Sequence, residues 1–401
     1  MNVTMNVTAP SASGLAIPFD HTRLDRLMDD AGIDVVVVTS KHNAQYLTGG
    51  HRANFFDYMD ASGLSRYLPV FVYVKGAPEK AAYIGHRLEG FQVKAEPLWV
   101  PEVQASSGTS IDAVQKAVAY MAKAGLRPKR IAAEFAFLPY DAARVLRDAF
   151  PDADWVDAVH VLERQRLKKS PAELALLKAA SEKVLASMQA VIEGTAPGAT
   201  KAEVAEALRR EEVNRGLTFE YCLITAGTNL NRAPTAQRWE KGDIMSIDSG
   251  GQYRGYIGDI CRMAIQGEPD AELEDMLAEI EMIQRAAMKP IKAGAPGRVI
   301  YEAAEPLRAK SKFQPLDFLA HGMGLVSHEA PHLTASGPIP YPATDADLPL
   351  EAGTVISVET TLPHATRGFI KLEDTVVVTD TGFEIYGEGL RGWNRAGSRV
   401  G

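Results

Sequence analysis

Apolar and polar residues alternate along two neighbouring runs, 243–249 and 257–263, as they do in the two strands of a hairpin. Each run contains one acidic residue, Asp248 in the first and Asp259 in the second. A hairpin centred on residues 253–254 would place these two carboxylates directly opposite each other, which is unfavourable for like charges. The pattern therefore predicts either a solvated hairpin end or a buried pair of carboxylates. In a buried pair, a cation lies between the two carboxylates or one of them is protonated.

The same arrangement recurs further along the chain. The strand-like runs "VISVETTL" and "FIKLEDTVVV" contain Glu359 and Glu373, and their midpoint is Thr366, so a second hairpin would again place two carboxylates opposite each other. Between the two hairpins, "AHGMGLVSHEAPH" contains His321 and His328. A single histidine or glutamate of this kind usually has a structural role. Four buried carboxylates in one pocket, however, would repel one another strongly unless cations lay between them.

The remaining pattern divides the chain into two domains. Residues 20–160 alternate helical patterns with strand-like ones, which favours an α/β domain. Four strands are predicted there, at "DVVVVTS", "YLPVFVYV", "KAAYIG" and "RIAAEF". At "KSPAEL", Ser170 as N-cap, Pro171 as first helical residue and Glu173 as its capping-box partner predict a new helix. The predicted segments are a tail over 1–18, an α/β domain over 19–164 and a second domain over 165–401.

The second domain contains an internal repeat. "IEGTAPGATKAEVAEALR" (192–209) aligns without a gap to "IKAGAPGRVIYEAAEPLR" (291–308), with nine of eighteen residues identical. One repeat pair is too short for a solenoid. It predicts a domain built from two related halves, each with a helix, an Ala-Pro-Gly turn, a second helix and strands, and with the site where the halves meet.

Charge and composition narrow the possible functions. The formal net charge of −8 and the lack of any Lys/Arg-rich run argue against nucleic-acid binding. No stretch of the sequence approaches the roughly 18 consecutive apolar residues of a membrane span. Cys222 and Cys261 are the only cysteines, so we expect no disulfide framework and a cytoplasmic location.

Four carboxylates with one imidazole form a ligand set for two divalent ions, such as Mn²⁺, Co²⁺ or Zn²⁺. Two ions about 3.5–4 Å apart can hold a bridging hydroxide and polarise a carbonyl group. The residues alone therefore favour a site for two divalent ions, and Asp248 and Asp259 are expected to be metal ligands.

The order of these residues resembles the M24 metallopeptidases, which include methionine aminopeptidase, aminopeptidase P and Xaa-Pro dipeptidase (prolidase). The match to the family order covers residues 165–385. It consists of an Asp and a second Asp eleven residues later, a His with another His seven residues on, and a Glu with a second Glu fourteen residues later. The resemblance implies an α+β pita-bread domain with a pseudo-twofold repeat. The preceding α/β domain resembles the N-terminal domain of the creatinase/prolidase branch, and a homodimer is expected.

The resemblance also implies a role for each matched residue. Glu359 would be the general base as well as a ligand, and His328 would bind substrate or stabilise the tetrahedral intermediate. The implied cofactor is two divalent ions per subunit, with Mn²⁺ or Co²⁺ preferred and Zn²⁺ possible. The implied metal ligands are Asp248, Asp259, His321, Glu359 and Glu373.

Some positions depart from the prolidase pattern. Asn231, in "NRAPT", stands where prolidases have a histidine seventeen residues before the first ligand. His332 stands where prolidases often have an arginine that binds the substrate carboxylate, with His364 and Arg367 as nearby substitutes. Lys371 replaces the arginine that usually precedes the last ligand. We expect Asn231, His332, His364 and Arg367 to contact substrate.

The leading hypothesis is metal-dependent hydrolysis of Xaa-Pro dipeptides, with a small peptide as substrate and neither nucleic acid nor membrane as partner. The departures leave open a hydrolase or lyase of a non-peptide small molecule, similar to ectoine hydrolase. A non-catalytic binding protein is less favoured, because all five ligand positions are kept.

Overall fold

The computed structural model describes residue 14 and residues 16–336 and 342–398. The chain forms two compact units that divide between Arg166 and Leu167. The domain boundary after residue 164 stays a prediction, and most of the predicted tail lies outside the described residues. Within the described part of the chain, no helix combines the length and the apolar character that crossing a bilayer requires.

The first unit is a mixed α/β fold. Its helices are α1 (His21–Asp30), α2 (Lys41–Leu47), α3 (Gly90–Ala95), α4 (Ser110–Lys123), α5 (Tyr140–Ala149) and α6 (Val159–Arg166). Its strands are β1 (Val35–Val38), β2 (Val70–Val74), β3 (Ala82–His86), β4 (Glu102–Ser107), β5 (Arg130–Ala133) and β6 (Asp154–Asp157). They form one sheet in the order β4-β3-β2-β1-β5-β6.

The four strands predicted for this unit form the centre of the sheet. The "VVVV" run of β1 is buried along its whole length, because it lies between antiparallel β2 and parallel β5. The edge strands β4 and β6 were not predicted from the sequence. Both are only partly buried over most of their length, so neither has the continuous apolar run that identifies a buried strand.

The second unit is a large sheet backed by helices. Its helices are α7 (Pro171–Gly194), α8 (Lys201–Asn214), α9 (Ala271–Met288) and α10 (Val299–Lys310). Its longer strands are β7 (Thr218–Ala226), β8 (Ile244–Tyr253), β9 (Tyr256–Ile265), β10 (Asp317–Met323), β12 (Val355–His364) and β13 (Gly368–Val378). Its shorter strands are β11 (Ser327–Glu329), β14 (Phe383–Tyr386) and β15 (Asn394–Arg395).

The second unit contains the two related halves that the repeat predicts. In the first half, α7 and α8 precede β7, β8 and β9, and in the second half α9 and α10 precede β10, β12 and β13. The halves join where β13 pairs with β9, giving the order β11-β10-β12-β13-β9-β8-β7. The predicted capping box is also present at the start of α7, where Ser170 and Glu173 bond each other's backbone N–H groups.

The β8–β9 hairpin has a different register from the predicted one. Tyr253 pairs with Tyr256, so the loop is Arg254 and Gly255, and both have positive φ, 52° and 92°. Positive φ at both central residues defines the type I′ turn that two-residue hairpins favour. The centre lies one residue beyond the predicted 253–254. The expectation that the two aspartates are directly opposite each other is therefore wrong, and they are offset by two residues.

The β12–β13 hairpin has the predicted register. His364 pairs with Gly368 across a loop centred on Thr366, and Glu359 lies directly opposite Glu373. Gly368 has a φ of 94°, a conformation that L side chains rarely adopt. The second carboxylate pair is therefore face to face, as the sequence predicted.

Helix α7 packs directly on β9 at Gly258. A Cβ atom at Gly258 would lie 2.5 Å from the backbone nitrogen of Ser181 and 2.6 Å from the carbonyl carbon of Ala180. No side chain fits in this space unless the helix moves. The position of Asp259, the next residue along β9, therefore depends on a direct contact between helix and strand.

One buried glutamate on the helix side of the sheet has a raised pKa. Glu212 of α8 has no solvent exposure, and its Oε1 accepts a hydrogen bond from the Ser249 hydroxyl at 3.0 Å. Its Oε2 has no hydrogen-bond partner among the described residues. Burial, reinforced by the charge of Glu220, raises the pKa of Glu212 from 4.5 to about 7.

This raised pKa predicts a pH-dependent stability. The folded state retains the Glu212 proton better than the unfolded state, so its contribution to stability is complete below about pH 4.5 and is lost as the pH rises through about 7. We expect Glu212→Gln to be more stable relative to the wild type at pH 8 than at pH 5, by roughly 1–3 kcal/mol. Chemical denaturation with a chelator present measures this difference.

The matched control is Glu182→Gln, on an exposed position of α7. The difference in unfolding free energy between this variant and the wild type should not change over the same pH range. An equally flat profile for Glu212→Gln would contradict the assignment.

Candidate metal centre

The residues predicted to bind metal lie on one face of the second sheet. Glu373 is paired with Glu359 on one side and with Cys261 on the other, and Asp248 is paired with Cys261 in turn. Paired residues of neighbouring antiparallel strands share a face. All five predicted ligands are at most 9% exposed: Asp248, Asp259, His321, Glu359 and Glu373.

Three of the five predicted ligands converge on a common point. One donor atom from each of Asp259, His321 and Glu373 lies within 4.8 Å of the other two, and this is the one such group among the described residues. Nε2 of His321 is 3.4 Å from Oε1 of Glu373. Oδ1 of Asp259 is buried without a hydrogen-bond partner in the described part of the chain. Two carboxylates and an imidazole, with one carboxylate oxygen buried and without a hydrogen-bond partner, form a donor set that fits one divalent ion.

The other two predicted ligands are paired with a lysine. The ammonium group of Lys371 lies 2.7 Å from Oδ2 of Asp248 and 2.8 Å from Oε2 of Glu373, and it also forms an ion pair with Glu359. Lys371 is 5% exposed. The structure therefore brings all five predicted ligands onto one face, but it divides them between a three-donor group and a lysine.

A second cation, which the sequence reasoning missed, completes this arrangement. The guanidinium group of Arg232 forms an ion pair with Asp248, and it lies 5.0 Å from the centre of the Phe369 ring. Arg232 directly follows Asn231 in "NRAPT". In the sequence, Arg232 could have been noticed only as a basic residue next to the position where the family has its histidine. The direction of its side chain is known only from the fold.

Burial and charge shift the pKa values of the carboxylates in different directions. Burial, reinforced by Glu373, raises the pKa of Asp259 well above its usual range. Burial also raises the pKa values of Asp248 and Glu359, although Lys371 opposes the shift. Glu373 is the exception, because Lys371 and then His321 outweigh the effect of burial and lower its pKa. The site retains negative charge at Glu373 and would gain most from a cation near Asp259.

Hydroxyl groups hold the three-donor group in place. The Ser357 hydroxyl donates to Oε1 of Glu373 at 2.7 Å, and the Ser327 hydroxyl donates to Oδ2 of Asp259 at 3.1 Å. Sequence reasoning missed both serines. Ser357 lies two residues before Glu359 on the same strand, so the strand period alone could have identified it.

His328 stacks on His321. The two rings are 3.8 Å apart between centroids and 17° from parallel, and His328 has a φ of 60°. Burial, followed by the neighbouring His321, lowers the pKa of His328 to about 4. His328 is therefore a neutral imidazole near pH 7, able to donate or accept one hydrogen bond.

Two of the residues predicted to bind substrate have other surroundings. The Arg367 guanidinium pairs with Asp270 at 2.6 Å and with Glu272 at 2.8 Å, at the start of α9. His364 lies at the end of the β12–β13 hairpin, with its Nδ1 3.4 Å from the backbone nitrogen of Thr366. Neither lines the described part of the pocket next to the carboxylates.

Asn231 and His332 each form a hydrogen bond through a backbone group. The Asn231 carbonyl accepts a hydrogen bond from the buried Lys201, and its side-chain oxygen accepts one from the backbone nitrogen of Ala233 at 3.0 Å. The backbone nitrogen of His332 donates to Asp345 at 2.8 Å. Their predicted contact with substrate stays a prediction.

A cavity of about 470 Å³ opens next to the carboxylate face. Its charged lining residues are Glu359, Lys371, Arg232 and Asp317, and Phe318 and Phe369 contribute apolar surface. This volume is within the usual range for small-molecule sites. The cavity can therefore place a small, partly apolar molecule against Glu359.

The twofold fold and its buried carboxylate and imidazole donors define a metal-dependent hydrolase. The family model of metallopeptidase family M24 matches residues 175–380. The model of the creatinase/prolidase N-terminal domain matches residues 21–168. The chain belongs to the M24 metallopeptidase family, in the branch that carries this N-terminal domain.

Relatives in sequence agree with this assignment, and a solved structure has the same fold. An uncharacterised peptidase of Bacillus subtilis, YqhT, is 24% identical over 90% of this chain and 95% of its own length. A probable dipeptidase, PepE, of Mycobacterium tuberculosis is 29% identical over 56% of this chain and 60% of its own length. The solved Xaa-Pro dipeptidase from Bacillus anthracis has the same fold, with a TM-score of 0.78 and 22% identity over 94% of this chain and 98% of that one.

The three-donor group predicts how metal binding responds to mutation. Metal that binds only the folded state stabilises it, by about 2.7 kcal/mol at a hundredfold excess over Kd. We expect Mn²⁺ or Co²⁺ to raise the melting temperature of the chelated wild type, and Asp259→Asn to lose most of that increase. Thermal melts and metal analysis after dialysis measure both effects.

Asp317→Asn, which removes a carboxylate from the pocket outside the three-donor group, is the control and should keep the increase. A wild-type melt that responds to neither chelator nor metal would rule out the site.

Proposed function

We propose that this protein hydrolyses Xaa-Pro dipeptides in a metal-dependent reaction. The observation that carries the proposal is a cavity whose wall contains Glu359, adjoining the donor group of Asp259, His321 and Glu373 in a chain of the M24 family. Relatives named Xaa-Pro dipeptidase support the same substrate class, among them that of Pyrococcus horikoshii.

The donor set favours Mn²⁺ or Co²⁺, with Zn²⁺ as a further possibility, because carboxylates predominate over the single imidazole. When bound, such an ion supplies a Lewis acid and lowers the pKa of a water molecule. The sequence predicts two ions per subunit. The three-donor group supports one of them directly, and Lys371 lies among the carboxylates predicted to hold the second.

Glu359 is the proposed general base. Glu359 lines the cavity and is 9% exposed, so its carboxylate can contact both a water molecule and a substrate carbonyl group there. Its ion pair with Lys371 holds the carboxylate in one orientation. The neutral His328 is proposed to hydrogen-bond the substrate near the same point.

Proline has no N–H, so the amine released from an Xaa-Pro bond must receive a proton. Asn231 cannot transfer one, because an amide does not titrate. We propose that Glu359 returns the proton it has taken from water. Asn231 then has at most a positioning role.

Arg232 is the proposed contact for the carboxylate of the substrate. Arg232 lines the cavity, whereas Arg367 pairs with two acidic residues at the start of α9. The cavity volume of about 470 Å³ favours a dipeptide over a longer peptide.

The two free, buried cysteines support a cytoplasmic location. A homodimer is the expected assembly.

The second candidate is a hydrolase or lyase of a small non-peptide molecule. It is favoured by Asn231, since a substrate whose leaving group needs no proton relay has no use for a histidine there. A non-catalytic binding protein has less support, because the ligand positions are kept.

A substrate panel separates these functions. The protein loaded with Mn²⁺ or Co²⁺ should cleave Xaa-Pro dipeptides faster than longer Xaa-Pro peptides and should leave ectoine intact, as measured by product chromatography. Cleavage of ectoine alone would replace the proposal with the second candidate. Inactivity on every Xaa-Pro dipeptide would end the prolidase assignment.

Glu359→Gln tests the base. If Glu359 takes the proton from water, the substitution should reduce turnover of the loaded enzyme by about 10²–10⁴-fold, the usual contribution of a general base. Bound metal must be measured in the same samples, since Glu359 is also a predicted ligand. Glu384→Gln, at an exposed ion pair on β14, is the control. Near-normal turnover of metal-loaded Glu359→Gln would assign the base elsewhere.

A further inference from the structure

We propose that the centre binds one divalent ion per chain, at Asp259, His321 and Glu373, and that the ammonium group of Lys371 takes the place of the second ion. The inference rests on the proposed metal dependence. Its test needs no substrate, so it can fail or succeed independently of the proposed reaction.

The first argument is the position of Lys371. It lies on β13 two residues before Glu373, on the same face of the sheet, and its Cα is held in the ladder opposite Thr361. Its ammonium group is in contact with the carboxylates of Asp248, Glu359 and Glu373. A second divalent ion would need oxygens from the same carboxylates, so it and the ammonium group compete for one place.

The second argument is the division of the donors. In the described part of the chain, the atoms of Asp259, His321 and Glu373 converge, whereas neither Asp248 nor Glu359 joins that group. Oδ2 of Asp248 is in contact with both Lys371 and Arg232. Asp248 therefore already has two cationic partners before any metal binds.

The third argument is charge. Lys371 and Arg232 together cancel half of the charge of the four carboxylates, and one divalent ion cancels the other half. A second divalent ion would leave an excess of positive charge in a buried site. It would also displace the Lys371 ammonium from its carboxylates, and a buried charge without its partner is strongly destabilising.

The test is the number of bound ions. Metal-free protein is dialysed against rising Mn²⁺, and bound metal per chain is measured by elemental analysis and by electron paramagnetic resonance. We expect one ion per wild-type chain, with the signal of isolated Mn²⁺. Lys371→Met, which keeps the length of the side chain without its charge, should bind two ions and show the signal of a coupled pair.

Lys169→Met is the matched control. Lys169 is as buried as Lys371 and pairs with Glu329 at 2.9 Å, and neither residue belongs to the three-donor group. This variant should bind one ion. Any loss of stability that it shares with Lys371→Met is then the effect of removing a buried lysine.

Two ions in the wild type would overturn the proposal, and so would a single ion in a folded Lys371→Met. A wild type that binds no ion would overturn it together with the metal dependence. If Lys371→Met does not fold, the wild-type count still decides, and Asp248→Asn adds a second test. That variant should keep its one ion, because Asp248 is not among the proposed ligands, and its loss would contradict the assignment.

Discussion

Repulsion among four carboxylates on one buried face of a sheet is the constraint on which the second unit depends. Two unit charges 4 Å apart repel by about 4 kcal/mol at the effective dielectric of a partly buried site. Several such pairs would together rival the 5–15 kcal/mol that stabilises a typical domain. Three features reduce this repulsion: the cations around Asp248, the hydroxyl groups that donate to Glu373 and Asp259, and the proposed ion.

The twofold arrangement explains how so many acidic groups come together. The first half supplies Asp248 and Asp259, and the second supplies His321, Glu359 and Glu373. The three-donor group draws on both halves, across the point where β13 pairs with β9. One helix-backed core is formed by the first half, and a second is formed mainly by the second half with Ile244, Met263 and Ile265 of the first half packed into it. The carboxylates can therefore be concentrated at the join without interrupting the apolar packing behind them.

Much of this could be predicted from the sequence, and what could not has a physical reason. The repeat predicted the two related halves, and the resemblance to the M24 family implied the fold. The spacing of the acidic residues predicted that they share one pocket, because strand period determines which residues lie together. The offset of the first hairpin was missed, since arginine is an unusual residue for a position with positive φ, as at Arg254. The contacts of Lys371 and Arg232 were missed as well, because a strand pattern gives the face of a long side chain and not its reach across neighbouring strands.

The contact at Gly258 has a consequence for how this protein can change over generations. Because the backbone of α7 rests on this glycine, a larger residue there would push the helix outward and shift the neighbouring Asp259 with it. Variation in the inward face of α7 is subject to the same limit, although none of its residues is a proposed ligand. Sequence drift in a helix behind the sheet is thereby coupled to coordination geometry in front of it.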